Sequence, residues 1–199
     1  QQVEEDLQRA WELRHEDTRE ALRLNRTAHD MALCLDNARG VAYGMLRISL
    51  CLFILGEDEA EQLLLLEQAT TLMNGLQDVK GEAEALNLHA SICQHGNDGE
   101  RALALNRRCL ALRQAAGDRL GEANSLHNIA IDLADAGRHA EALEHVLRSL
   151  ELAEALQDLR ARAYALATLG RVLLATEDTS QGVDCLQRSL ALIVQTRDR

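Results

Sequence analysis

Apolar residues along this chain recur at helical spacing. Leu126, Ile129, Ala130 and Leu133 follow the i, i+3, i+4, i+7 order of one buried helix stripe, and a second stripe follows at Leu143, Val146, Leu147 and Leu150. Between the stripes, Asp135-Ala136-Gly137-Arg138 predicts a turn, with Gly137 suited to the left-handed residue that closes a helix. Gly56 and Gly96 stand at nearly the same place in earlier stretches and predict turns there as well. The unit is therefore a helix hairpin. Upstream, Arg19-Glu20-Ala21-Leu22 echoes Ala140-Glu141-Ala142-Leu143, which predicts a helix over roughly 18–35 and a shorter one before it, from Val3 to His15.

The hairpin repeats. Asp78, Asp118, Asp158 and Asp198 recur every 40 residues, and Gly81-Glu82-Ala83 and Gly121-Glu122-Ala123 share one offset from them, with Ala161-Arg162-Ala163 as a degenerate copy. Gly40-Val41-Ala42 precedes the first of these by 41 residues. The second half of each unit aligns in columns: Ala69, Cys109, Ser149, Ser189; then Thr70, Leu110, Leu150, Leu190; then Leu72, Leu112, Leu152, Leu192. An Asp at each unit boundary fits a helix N-cap, where its carboxylate accepts backbone N–H bonds and meets the positive end of the helix dipole. The pattern predicts an all-α chain of about five antiparallel hairpins at 1–37, 38–77, 78–117, 118–157 and 158–199, forming a single repeat domain. Asp198-Arg199 repeats the opening of a unit, like Asp118-Arg119, so the array is expected to continue into a longer protein.

Composition narrows the function classes. The chain has no proline, four aromatic residues and a formal charge of −11, which leaves no cationic footprint for nucleic acid or anionic membrane. Five cysteines lie inside helical patterns without a CxxC pair, as small core residues do in a reducing compartment, so a cytoplasmic location is expected. The longest apolar runs, such as Ile48 to Leu55, are too short to span a bilayer.

The columns resemble those of tetratricopeptide repeats, and the resemblance covers essentially the whole chain. In that family the first helix carries a large residue, a Leu with a small residue, then an aromatic or Leu; the second carries Ala, an aromatic and Ala. One unit fills these places with Leu126, Ile129, Ala130, Leu133, Ala142, Val146 and Ser149, and the next with Leu166, Leu169, Gly170, Leu173, Gly182, Leu186 and Ser189. The proline usual after the second helix is absent, and aliphatics fill the aromatic places. The 40-residue period with its Asp-x-x-Gly-Glu-Ala opening is similar to the longer variety found in bacterial diguanylate cyclases, maltose-activator-type and peptide-sensing regulators, and animal spindle-orientation adaptors. The resemblance implies a right-handed superhelical solenoid used for interaction or sensing, with the first helices lining a concave groove.

Mapped onto that register, the groove would carry Trp11, Arg14, Tyr43, Leu46, Arg47, Leu50, Phe53, Asn87, Ser91, Gln94, His127, Asn128, Ile131, Tyr164, Thr168 and Arg171, including all four aromatics. Aromatics concentrate at binding hot spots, and Arg47 and Arg171 suit acidic ligand groups. The second helices place Glu141, Glu144, Arg148, Glu151 and Glu154 on a solvated outer side.

Catalytic chemistry finds no foothold: no phosphate-binding glycine loop, zinc-protease helix or nucleophile elbow occurs, and no catalytic residue is assigned. His89, Cys93 and His95 have metal-like spacing, but His89 and Cys93 fall in the columns of Ile129 and Leu133 and read as core substitutes, so neither metal nor cofactor is expected. Acidic runs such as Glu57-Asp58-Glu59 read as helix starts. The expected function is a protein- or peptide-binding scaffold rather than an enzyme. Its alternatives are a sensory module of a multidomain signalling protein or transcription regulator, and self-association. The last reading rests on the apolar residues Leu186, Leu190, Ile193 and Val194 in a final helix, which predict a possible homodimer through terminal repeats.

Overall fold

The computed structural model describes residues 2–197. Asp198 and Arg199, the repeated opening, lie outside the described residues. Ten helices and no strands occur among the described residues: α1 Gln2–Leu13, α2 Thr18–Cys34, α3 Ala38–Leu55, α4 Glu59–Gly75, α5 Val79–His95, α6 Gly99–Ala115, α7 Arg119–Asp135, α8 His139–Ala155, α9 Leu159–Ala175 and α10 Thr179–Arg197. They group into two compact units that divide between Gly96 and Asn97, so α1–α5 form the first and α6–α10 the second. Within each unit every helix packs against its neighbours in sequence, while α3 touches both α1 and α5 in the first unit and α7 touches α9 in the second.

Turn chemistry sets the period, and it does so every 20 residues rather than every 40. Asp17, Asn37, Asp58, Asp78, Asp98, Asp118, Asp158 and Asp178 each accept the backbone N–H three residues on, at 2.8–3.3 Å. Arg138 alone breaks the series: α8 has no side-chain cap, and Arg138 instead donates to Glu141 at 2.7 and 2.6 Å. Just before the cap position of α3 and of each helix from α5 to α10 stands a residue with positive φ, namely Asp36, Gln77, Asn97, Gly117, Gly137, Gln157 and Glu177; before α4 the turn is one residue longer, with Gly56 and the cap Asp58 itself both at positive φ. The expected left-handed glycine at Gly96 is not one of them, since its φ is −75° and Asn97 takes that conformation at +62°. Where an aspartate follows the left-handed residue it does both jobs, as at Asp118: its N–H closes the outgoing helix on the Arg113 carbonyl at 2.9 Å, while its carboxylate opens the next.

Packing follows the columns. In the first unit Leu46, Leu66, Met73, Leu88 and Ile92 form one buried cluster, and in the second Ala130, Val146, Leu166, Leu169 and Cys185 form another. His89 and Cys93 are buried at 5% exposure each, as their column predicts. α3 has a mean hydropathy of 1.5 over its 18 residues, enough by length and composition for a membrane span, contrary to what the short apolar runs indicated. Its Leu46, Ile48, Cys51 and Leu52 are spent instead on packing against α2 and α4. In the second unit Gly170 and Gly182 face each other: a Cβ on Gly170 would meet the Gly182 carbonyl oxygen at 2.9 Å, and one on Gly182 the Gly170 oxygen at 3.1 Å. Two missing side chains thus let α9 and α10 approach closely.

The Gly-Glu-Ala opening also has a structural purpose. Glu82 and Glu122, both buried, accept amide N–H bonds from the preceding helix: Asn74 donates to Glu82 at 3.1 Å and Gln114 to Glu122 at 3.0 Å. At the degenerate copy the polarity reverses, and Glu154 pairs with Arg162 at 3.4 Å. The α4–α5, α6–α7 and α8–α9 junctions are each latched by a polar pair spaced eight residues apart, whereas α2 and α3 carry Cys34 and Ala42 at those places. Glu141, Glu144, Arg148, Glu151 and Glu154 on α8 are exposed.

Candidate binding face

In the first unit α1 carries Trp11, with Arg14 just past its end, α3 carries Tyr43, Arg47, Leu50 and Phe53, and α5 carries Asn87, Ser91 and Gln94; α3 packs against both α1 and α5. Trp11 is 38% exposed, with the Arg14 guanidinium 3.7 Å and the Arg47 guanidinium 4.6 Å from its ring centroid. Arg14 also donates to the Trp11 carbonyl. Leu50 and Phe53 pack their inner sides on the cluster around Leu66, and the outer edge of Phe53 meets His95 in a T-shaped contact at 4.9 Å. Ser91 is turned back on its helix, donating to the Asn87 carbonyl at 3.1 Å. Leu46 is buried at 7% exposure and lies beneath the face rather than on it.

A cavity of about 190 Å³ opens between α1 and α3, lined by Val3, Leu7, Tyr43 and Arg47 with Glu4, Gln8, Asn37, Arg39 and Gly40 around them. Two cations border it and differ in kind. Arg39 is committed, pairing with Asp78 at 3.1 Å and standing 5.7 Å from the Tyr43 ring centroid. Arg47 has Nε and Nη1 buried with no hydrogen-bond acceptor among the described residues. Burial pulls the Arg47 pKa below the ordinary guanidinium value, against the opposing pull of Glu84, and raises that of the Tyr43 hydroxyl. Sequence columns found Tyr43 and Arg47 but missed Val3, Leu7 and Arg39. Arg39 stands one turn before Tyr43 on the same helix face, which is the signal that could have found it.

In the second unit α7 and α9 place His127, Asn128, Ile131, Tyr164 and Arg171 together. His127 stacks on Tyr164 at 6.1 Å between centroids, and its Nδ1 is 3.4 Å from Thr168 Oγ1. Thr168 itself is buried, at 3% exposure. Burial, reinforced by Arg171, lowers the His127 pKa to about 4. Arg171 is already satisfied, donating to Asp135 at 2.7 Å. Beneath this patch Asp132 accepts from Asn106 at 2.7 Å, and burial raises its carboxyl to about 6. No group of three or more His, Cys, Asp or Glu side chains is placed to share a metal ion among the described residues.

Helix pairs, capped turns and aligned columns all match one repeat type, and a sequence profile for the tetratricopeptide repeat matches residues 81–155 and 128–193, more than half of the chain. The chain belongs to the tetratricopeptide repeat family. The profile begins at Gly81, where the Gly-Glu-Ala opening is intact, and leaves out the first two hairpins, in which Gly40-Val41-Ala42 replaces it. No curated protein matches the sequence. Among solved structures the apo form of RapI superposes with a TM-score of 0.86 at 14% identity, over 100% of this chain and 72% of that one. BtubC (BKLC) from P. vanneervenii gives 0.81 at 19% identity, over 100% and 89%. The nearly identical TPR-like repeats of a putative kinesin light chain from Podosopora anserina give 0.75 at 14%, over 99% and 97%. At such identities the likeness is one of fold.

Proposed function

We propose that this tetratricopeptide-repeat chain is a scaffold that captures a protein or peptide partner on the layer formed by its first helices, and performs no catalysis. The observation that carries this reading is Arg47. A half-buried guanidinium with two donors lacking a protein acceptor is costly, on the order of 1–3 kcal/mol, and a partner carboxylate would relieve that cost. The Trp11 ring beside it and the apolar wall of Val3, Leu7 and Tyr43 supply contact area for a neighbouring apolar side chain. Arg171, held by Asp135, is a weaker anchor. All five cysteines are free thiols, which agrees with the reducing cytoplasm as the place where the scaffold works.

Selection of a displayed random-peptide library on the protein tests the reading. Enriched peptides should pair an acidic with an apolar residue, and Arg47→Gln and Trp11→Ala should each weaken their capture about tenfold or more while leaving the melting temperature within a few degrees. Absence of enrichment defeats the scaffold reading. Enrichment that Arg47→Gln leaves untouched keeps the scaffold and moves the anchor elsewhere.

A further inference from the structure

The cavity between α1 and α3 is graded along its length. Val3 and Leu7 stand one turn apart on α1, with Trp11 a turn further on, and Gly40, Tyr43 and Arg47 follow α3 at matching intervals, so the site runs for roughly 10 Å at about 1.5 Å per residue. Its rim is polar, with Glu4, Gln8 and Arg39 exposed, and its walls are apolar, with Val3 and Leu7 buried and Tyr43 half-buried. Its far end is the Arg47 guanidinium, set against the Trp11 ring at 4.6 Å. Arg14 meets the same ring at 3.7 Å and adds a second positive charge there. Glu84 of α5 acts on Arg47 through charge alone, since Arg47 Nε and Nη1 have no acceptor and are sealed from solvent. A volume of about 190 Å³ is below the roughly 300 Å³ at which pockets for whole drug-sized ligands begin, so the cavity holds one side chain.

Taking Arg47 as the partner's anchor, on which this assignment rests, we infer that the cavity reads the side chain of an internal glutamate of the partner peptide. The carboxylate goes to Arg47, the methylenes lie between Leu7 and Tyr43, and the peptide backbone stays at the rim. A peptide can offer its carboxylate on glutamate, on aspartate or at its C-terminus, and the walls separate these. Because the Arg47 donors are sealed, a carboxylate reaches them only by passing the apolar walls and easing Trp11 aside. An aspartate, shorter by one methylene, would draw its own backbone between Val3 and Leu7, where amide N–H and carbonyl groups find no partners. A C-terminal carboxylate is attached to that backbone directly and meets the same cost. Glutamate carries its charge on an apolar stem long enough to leave the amides in water. The rim also limits what flanks it: Glu4 and the net charge of −11 make an acidic run a poor fit, so neutral neighbours are expected.

Trp11 is the single tryptophan of the chain and stands against Arg47, so its emission reports occupancy there. N-acetyl-glutamate amide, N-acetyl-aspartate amide and N-acetyl-leucine, titrated into the whole chain, offer the three kinds of carboxylate one at a time. The glutamate probe should shift both the Trp11 emission and the Arg47 Nε–H resonance. The aspartate probe should be weaker by about tenfold or more, the usual worth of one methylene in an apolar pocket, and N-acetyl-leucine should do no better. Arg47→Gln should remove the response while the melting temperature stays within a few degrees. An aspartate or leucine probe that matches the glutamate probe overturns the inference, as does a glutamate response that survives Arg47→Gln, or silence from all three. In the peptide selection the two readings fail separately. Arg47-dependent peptides that carry aspartate as readily as glutamate remove the glutamate pocket and keep the anchor, whereas absence of enrichment removes the scaffold and the pocket's partner with it.

Discussion

Asn106 Nδ2 donates to Asp132 Oδ2 at 2.7 Å in the interior of the second unit, yet that bond does not keep the carboxyl acidic: burial outweighs it and lifts the pKa to about 6. On the surface side of the same helix, His127 is driven the other way, to about 4. The fold thus contains two groups that each favour the neutral form.

Their effects on stability oppose each other. His127 has a depressed folded pKa, so its contribution is present above about 6.5 and is lost as pH falls towards 4. Asp132 has a raised folded pKa, so its contribution is full below about 4 and is lost as pH rises through 6. Each is on the order of 2–3 kcal/mol at most, and between pH 4 and 6 they largely cancel. Urea midpoints of Asp132→Asn, whose amide can still accept from Asn106, should therefore exceed wild type at pH 7 and lose that advantage at pH 4. If the difference between variant and wild type does not change with pH, Asp132 does not titrate in this window.

The uncapped helix α8 offers a gain. Arg138→Asp restores at α8 the cap found at the eight other sites and sacrifices only an exposed Arg138–Glu141 pair, which is worth little. The expected stabilisation is about 1 kcal/mol, a rise of roughly 2–4 °C in melting temperature. A lower melting temperature would mean that the arginine holds the turn in another way.

Much of this was legible in the sequence, because the columns repeat and each copy corrects the reading of the others. Leu126, Ile129 and Leu133 specified a buried stripe that the structure buries completely, and Asp78, Asp118 and Asp158 read correctly as caps. The halving of the period to 20 went unseen because the other caps are hidden by variable neighbours: Asn37 and Asp58 break the spacing, and Arg138 breaks the chemistry. The left-handed turns were also hard to find, since only Gly56, Gly117 and Gly137 bear the residue that announces them, while Gln77, Gln157 and Glu177 do not. For the binding face, columns gave the residues of one helix but not what stands opposite them. The cavity needs Val3 and Leu7 of α1 beside Tyr43 and Arg47 of α3, a pairing fixed by how two helices pack rather than by either pattern.

Those unannounced turns carry strain that substitution can move in both directions. Gln157 holds φ +54° with a side chain that disfavours it, so Gln157→Gly should stabilise by several tenths to about 1 kcal/mol; Gly137→Ala, at φ +74°, should cost about 1–2 kcal/mol. Thermal melts of the two variants and their double mutant should show opposite shifts that add, since the turns lie at opposite ends of α8.

The Gly170–Gly182 contact allows no such relief. A Cβ at Gly170 would stand 2.9 Å from the Gly182 carbonyl oxygen and 2.8 Å from Leu186 Cγ; the leucine can turn, but the carbonyl belongs to the backbone of α10. Gly170→Ala must therefore push the helices apart, and the expected loss is about 1–3 kcal/mol, despite alanine's better helix propensity by roughly 1 kcal/mol. The displacement would fall on α10, so hydrogen exchange should accelerate along Thr179–Arg197 before it does in α7 or α8. An unchanged melting temperature, with α10 amides as protected as before, would mean that propensity and contact cancel and that this approach is not tight in solution.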